Sequence, residues 1–454
     1  MTSASVFHAA LWWSVVIAVA YVLAANLLVA VRCAVASRGR LPDFAPEEQS
    51  ALALSRFTIP VSVIVHVEDD QHNLIPSVRA LLELDYPQFE VIAVVDGART
   101  LDALKREFTL VPRQMFYRRS LSGPDVRAIY ASSLDARLLV VDQPATDAAV
   151  AWNCGINLAR YRYVGIVAAG RFCRADALLT AMAPANADPA SVVAILGDLG
   201  APDRRTTPRP ASGDVEASRV QFRVSGFEEL ERLREEAARR VAPVDLRGTL
   251  DNPEAFGLWR RDAVVEAGGF SAGGAGAGLD LALRLHRPPE GPAYRILTMA
   301  RARRPGSDQT VRETIRKRAR WCRAMLEAAF RTHGRVLSTG RGRARLGGLA
   351  TLLPGLLEAW LLIALPIGAL AGAFGWLPAI VTAATVALAK GVASNVALLL
   401  AASVPASNLQ RPLRSIFLGV LEFPVYRPVA LIAAVEGSRQ FLTGRSPVPP
   451  ADPV

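Results

Sequence analysis

Ala255-Phe256-Gly257-Leu258-Trp259-Arg260-Arg261-Asp262-Ala263-Val264-Val265-Glu266-Ala267-Gly268-Gly269-Phe270, followed after a small-residue loop by Asp280-Leu281-Ala282-Leu283-Arg284-Leu285-His286, is the most patterned stretch of the chain. An apolar run leads into a helical turn, a glycine pair closes that turn, and an amphipathic helix resumes at Asp280. The reading is a short buried strand, a helix stopped by glycine, a loop and a second helix, as in an α/β domain.

Upstream, Val61-Ser62-Val63-Ile64-Val65 is a continuous apolar run bounded by Pro60 and an acidic turn. That is the pattern of a strand buried on both faces of a parallel sheet. A helix is expected from about Asn73 to Leu84, and Phe89 to Gly97 reads as a second strand ending in Asp96-Gly97. The opening is therefore βαβ, and a ligand would sit at the carboxyl ends of the strands. Asp96 is the acid that points to where a nucleotide would bind, or else it caps the Asp-Gly turn. Ala136 to Val141 and Tyr163 to Val167 are further strands, with a helix from Asp147 to Ala159 between them. Leu101 to Ser133 has no clear period. Asp203 to Ala217 reads as a loop, and Phe227 to Arg240 as an amphipathic helix with alternating Glu and Arg.

With 454 residues, 51% of them hydrophobic, and a mean hydropathy of +0.25, the chain is too apolar for an ordinary soluble protein and too charged to lie wholly in a membrane. Ala9 to Val31 carries no charge and exceeds the roughly 20 residues that cross a bilayer. Arg32, Arg38 and Arg40 follow it, without a basic leader or cleavage site before it, so the N-terminus is expected outside and the α/β domain in the cytoplasm. Ala359 to Ala389 is uncharged and contains Gly372, Gly375 and Pro378, the end of one span, a turn and the start of the next. Lys390 follows inside the apolar run, where an ionisable group costs about 2.5 to 3.5 kcal/mol unless paired or wet. It is a snorkelling lysine, a partner for Glu358, or part of a polysaccharide channel. Leu413 to Leu442 is broken by Pro424, Arg427 and Pro428 and flanked by arginines on both sides, so it reads as interfacial or re-entrant.

The expected organisation is a transmembrane helix in 1–40, an α/β domain in 56–310, a basic interface helix in 311–345, a transmembrane pair in 346–405, the interfacial segment in 406–445 and a proline-rich disordered tail in 446–454. The net charge of +11 suits a domain facing anionic lipid at the inner membrane, and no nucleic-acid motif accompanies it. Cys33, Cys154, Cys173 and Cys322 lack ligand spacing and read as isolated thiols of a reducing compartment.

FGLWRRDAVVEAGGF followed by DLALRLH resembles the second half of the catalytic domain of membrane glycosyltransferase family 2, the cellulose and hyaluronan synthase type. The resemblance implies a GT-A, Rossmann-like cytoplasmic domain with N- and C-terminal transmembrane helices. It extends to the first strand, similar to VSVIVPxYNE with His66, Glu68 and Asp69 at the Pro, Tyr and Asn places, and to the second, similar to VIVVDDGS with Val95 at the first Asp and Asp96 at the other. Asp147 to Ala159 resembles KAxALNxG, with Asn153 and Gly155 matching and Ala148 at the lysine. Lys317 to Trp321 resembles QxxRW, with Arg320 and Trp321 matching and Lys317 at the glutamine. The resemblance places Asp96, Asn153, Arg320 and Trp321 toward the nucleotide-sugar donor and acceptor.

What the family uses for chemistry is missing from the matching positions. Its Asp-x-Asp, whose carboxylates hold Mg²⁺ or Mn²⁺ on the donor diphosphate, falls on Ala168 and Gly170. Its Thr-Glu-Asp, with the general base, falls on Gly276, Ala277 and Gly278. No metal, no cofactor and no catalytic residue is therefore expected. Arg171 could serve as a fixed cation opposite the diphosphate, or be a solvated or lipid-facing arginine; Asp176 suits the cap of the following helix. Three readings follow. The first is a pseudoenzyme that acts as a scaffold or regulatory subunit beside an active glycosyltransferase or export subunit in surface polysaccharide synthesis. The second is a metal-independent transferase using Arg171, Arg320 or other cations, with Asp280 or another acid as base. The third is a membrane transport component, resting on Lys390 alone.

Overall fold

The structure is a computed structural model of the chain. It describes residues 3–36, 58–67, 74–144, 147–168, 173, 175–197, 227, 230, 257–271, 276–285, 294–298, 311–327, 343–401 and 418–444. Among the described residues, nine strands form one mixed sheet: β1 (Val61–Val67), β2 (Phe89–Val95), β3 (Leu110–Pro112), β4 (Ala128–Ser132), β5 (Leu138–Asp142), β6 (Tyr163–Ala168), β7 (Val192–Leu196), β8 (Gly257–Arg260) and β9 (Arg295–Thr298). Their order is β3-β4-β5-β2-β1-β6-β8-β7-β9. β1, β2, β5 and β6 run parallel, and β4 and β8 pair antiparallel on either side of them. From β1 the chain moves to one side for β2 and β5, then returns to the other for β6. That reversal at β1 is where an open α/β sheet leaves a crevice beyond its carboxyl ends.

The period-2 geometry of a strand sends alternate residues of β1 into two separate cores. Val61, Val63, Val65 and Val67 pack with α2 (Leu74–Leu82), α3 (Ala98–Phe108) and α5 (Ala177–Ala187). Ile64 faces α4 (Ala148–Leu158), α6 (Arg261–Glu266) and α7 (Ala277–Leu285). Gly155 lets α4 lie directly on β1, because a Cβ there would stand 2.5 Å from Cγ2 of Ile64.

The opening stretch folds as expected. Gly257–Arg260 is buried throughout, α6 follows at once, and Gly268 and Gly269 close it with φ of 85° and 79°. α7 begins three residues before Asp280. The patternless segment from Leu101 holds the rest of α3 and the edge strands β3 and β4, and β7 and β9 complete the far edge. The loop at 203–217 and nearly all of the expected helix at 227–240 lie outside the described residues, as does Arg171.

Among the described residues, three helices are long and apolar enough to cross a membrane: Val6–Leu28, Trp376–Ala393 and Leu418–Thr443, with Leu357–Leu370 as a shorter apolar helix. The first lies in α1 (Ser3–Ala36). Where a transmembrane pair is expected, the chain forms two helices, α9 (Arg343–Leu370) and α10 (Trp376–Ala401), joined by a turn with Gly372 at φ 72°. Leu11, Val15, Ala18 and Val22 of α1 pack against Leu361, Leu365 and Val386 of this pair. His8 and Trp12 stand beside Ala373, so the start of α1 and the α9–α10 turn lie at one end of the bundle.

The segment expected to be interfacial or re-entrant is described from residue 418 onward. Leu418 to Thr443 is one continuous helix that passes Pro424 through a π-helical turn, Glu422–Tyr426, into α11 (Arg427–Thr443). A π turn tolerates the proline because its widened backbone already leaves the usual hydrogen bond unmade. The helix begins tightly packed on α10, where Gly419 meets Gly391.

Lys390 is 1% exposed. Its ammonium donates to both oxygens of Glu358 at 2.7 and 2.6 Å and lies 3.4 Å from Glu422. Arg427 completes the set, 2.5 Å from Glu358 and 3.5 Å from Glu422. Two acids and two bases cancel inside the bundle, the arrangement that makes buried charge tolerable. Of the three readings of Lys390, the structure forms the pairing with Glu358.

Candidate functional site

The carboxyl ends of β1, β2, β5 and β6 form the crest at which a GT-A-type domain would place its donor. In register across this crest stand His66 beside Ala168, and Val95 beside Asp142. Asp96 follows β2 directly. Arg127, at the approach to β4, bridges the two acids, with Nη1 3.5 Å from Asp96 and 3.2 Å from Asp142. The backbone N–H of Arg127 donates to the Asp142 carbonyl at 2.8 Å, which fixes the arginine at the strand end.

Arg127 and Asp142 were not singled out in the sequence. Asp142 had a signal, because Val140-Val141-Asp142 repeats the Val94-Val95-Asp96 at the end of β2. Arg127 had none, lying in the segment without period.

The fit to a divalent metal is poor. Ala168 brings no oxygen ligand from its side chain, and the nearby carboxylates Asp96 and Asp142 already share a guanidinium. Among the described residues, no three His, Cys, Asp or Glu side chains converge as a metal site would need. Gly170 and Arg171 lie outside the described residues.

Asn153 is used within the chain. It is buried on α4, donates through Nδ2 to the Phe270 carbonyl at 2.8 Å and accepts from the Phe270 N–H at 2.8 Å. One turn later, Asn157 does the same to Leu121, accepting from Ser120 and Leu121 N–H and donating to the Leu121 carbonyl at 2.9 Å. Spacing i, i+4 puts both amides on one face of the helix, each clamping a crossing loop. Beside them, burial pushes the Cys154 thiol up to about 12, with Arg119 only partly opposing it. Thiolate at pH 8 is then on the order of 10⁻⁴ of the total. Cys154 should stay unmodified by iodoacetamide in the folded protein and react after denaturation, read by peptide mass; alkylation in the native state would show that α4 opens.

The glycine turn is held from the other side by α7. Arg284 donates to the carbonyls of Ala267 and Gly269 and pairs with Asp280 at 2.8 Å, and Ser271 donates to the same carboxylate at 2.6 Å. Asp280 is thus 8% exposed and engaged in positioning the turn, a poor setting for a proton acceptor. Ala277 and Gly278, at the places of the family's base triplet, are the buried first residues of α7. Arg260 bonds Asp262 and the Ala190 carbonyl, and Arg261 bonds the Ile156 carbonyl.

α8 (Val311–Leu326) carries Arg320 and Trp321. Trp321 packs with Met325 on Leu279 and Leu283 of α7, which docks the basic helix on the α/β domain. Arg320 is exposed. These contacts join Asn153, the glycine turn, α7 and Trp321 into one connected structural group. Asp96 belongs to a separate group with Arg127 and Asp142.

No protein-family model matches the sequence, and no curated protein matches it. Among solved structures, the mannosyltransferase PcManGT from Pyrobaculum calidifontis, in complex with GDP-Man and Mn²⁺, aligns with a TM-score of 0.51 over 96% of this chain and 100% of that one, at 16% identity. The fold is that of a GT-A glycosyltransferase. Residues 1–349 of S. aureus TarS align with a TM-score of 0.35 over 85% of this chain and 92% of that one, at 13% identity. Their complex with UDP-GlcNAc gives 0.34 over 85% and 93%. At 16% identity the match to the mannosyltransferase shows the fold alone.

Proposed function

We propose that the chain is a membrane-bound relative of family 2 glycosyltransferases, with its GT-A domain on the cytoplasmic side, that acts as a scaffold or regulatory subunit in cell-surface polysaccharide synthesis. The observation that carries this reading is the crest: Ala168 stands in register with His66 where a metal-binding acid is expected, and Asp96 and Asp142 share the single guanidinium of Arg127. Loss of a metal and of a base each removes orders of magnitude in rate. The residues kept from the family pattern, Asn153, Gly155, Arg260, Arg261, Gly269 and Trp321, all have structural work in this chain. That is what a fold retained without its chemistry would keep.

The test is a panel of UDP- and GDP-sugars offered to the purified full chain in detergent, with Mn²⁺ and EDTA arms. The scaffold reading expects no hydrolysis or transfer in either arm and co-purification of an active synthase. Mn²⁺-dependent turnover would overturn it; EDTA-resistant turnover lost in an Arg171→Ala variant would establish the metal-independent transferase instead. Nucleotide binding is a separate matter. If the crest still holds a nucleoside, Asp96→Ala should weaken UDP or GDP binding at least tenfold by calorimetry, the loss of one charge-assisted hydrogen bond; unchanged affinity removes Asp96 from the site.

A further inference from the structure

We propose that the loop joining β3 to β4 docks a partner protein, with Phe116 seated in an apolar pocket and Arg113 and Arg118 on carboxylates around its rim. The loop opens Arg113-Gln114-Met115-Phe116-Tyr117-Arg118-Arg119. Inward and outward residues alternate along it. Met115 and Tyr117 pack on the core that α4 covers, whereas Phe116 between them is 105% exposed. The ring gains nothing from this fold, although burying a phenylalanine is among the larger single contributions an interface can draw on.

The loop is fixed on both sides of that ring. The Arg113 N–H donates to the Ile129 carbonyl at 2.8 Å, and the N–H groups of Ser120 and Leu121 donate to Asn157 Oδ1 at 3.0 and 2.9 Å. A side chain presented from a held backbone loses less freedom on binding, which suits an interface anchor.

Charge selects the occupant. Arg119 is engaged with Asp125, and Arg127 with Asp96 and Asp142. Arg113 and Arg118 are exposed and form no ion pair among the described residues. An exposed aromatic ring between unpaired arginines has the composition of an interface centre and is complemented by acids. A second copy of the chain, with its net charge of +11, would bring like charge to this surface. The membrane helices are reached from elsewhere. The described contacts that join the α/β domain to α8 and to the π turn are Trp321 with Leu279 and Leu283, and Phe227 with Tyr426. Both arise from chain flanking β8, and β3 lies six strand places from β8, about 29 Å at roughly 4.8 Å each. That the partner is an active glycosyltransferase rests on the scaffold reading above.

The test places the photocrosslinking residue p-benzoylphenylalanine at position 116 of the full chain in its native membrane. Position 134 is the control, because Leu134 is 68% exposed on the turn after β4. Position 116 should give an adduct with one protein, mapped by peptide mass to a segment with Asp or Glu around apolar residues, and position 134 none. Against that partner in purified form, Phe116→Ala should weaken binding roughly 30-fold, and Arg113→Glu/Arg118→Glu on the order of 100-fold. The denaturant midpoint should not move in either variant, since all three side chains are exposed. Lysine in place of the mapped acids should restore binding to the glutamate variant. An adduct with lipid or with a second copy of the chain, no adduct at 116, or an affinity indifferent to charge reversal would each overturn the proposal. A mapped acidic partner that lacks glycosyltransferase activity would uphold this surface and overturn the scaffold reading instead.

Discussion

Lys390→Met should destabilise the protein by about 3 to 5 kcal/mol, the usual result of removing one partner from a buried ionic set. The lysine, like Arg427, touches both acids, 2.6 Å from Glu358 and 3.4 Å from Glu422. Without it Arg427 must compensate two carboxylates that are 3% and 0% exposed, and methionine fills the volume but not the charge. The loss should appear as a lower denaturant midpoint in detergent, followed by tryptophan fluorescence. A charge-balanced double variant, Lys390→Met with Glu358→Leu, leaves the Glu422–Arg427 pair and should recover most of it, because a matched apolar replacement is often nearly neutral. A parental midpoint for Lys390→Met would mean that the lysine reaches water and that the quartet is not closed.

Gly257→Ala should cost about 3 kcal/mol or more, for a reason confined to the backbone. Gly257 has φ of 136°, a region in which side chains are strained, and a Cβ there would collide with the Ile195 carbonyl oxygen and stand 3.0 Å from the Leu196 Cα. Neither neighbour can rotate away, since both are backbone of β7 paired to β8. Gly123→Ala is the control, with nothing nearer than 3.9 Å, and should change stability little. Comparable midpoints for the two variants would show that the β7–β8 pairing is loose.

Legibility followed pattern length. The buried parallel strands were readable because both faces of β1 and β2 are covered, so Val61–Val67 and Phe89–Val95 are apolar without alternation. β3, of three residues with a proline, and β4, half-buried, carry too little pattern to be seen. In the membrane region, absence of charge located α1 and the α9–α10 turn, while Pro424 and Pro428 pointed to a break that the π turn absorbs. At the crest, Asp96 was legible as the residue after an apolar strand. Its partnership with Arg127 was not, since the two are distant in sequence and joined only by the sheet. Asn153 was legible as a motif residue, but what it holds, the backbone of Phe270, lies 117 positions away.

The π turn has a consequence for helical phase. Within Glu422–Tyr426 the chain delivers a carboxylate to the Lys390 ammonium at one end, and at the other it stacks Tyr426 on Phe227 while accepting a hydrogen bond from Arg318. A regular α-helix advances about 100° per residue, so deleting one residue here would rotate every later side chain by more than a quarter turn relative to the bundle. Gly437 would then leave Ala319, or Arg427 would leave Glu358. The extra residue in that single wide turn is the spacer that lets one helix keep two unrelated sets of neighbours in step.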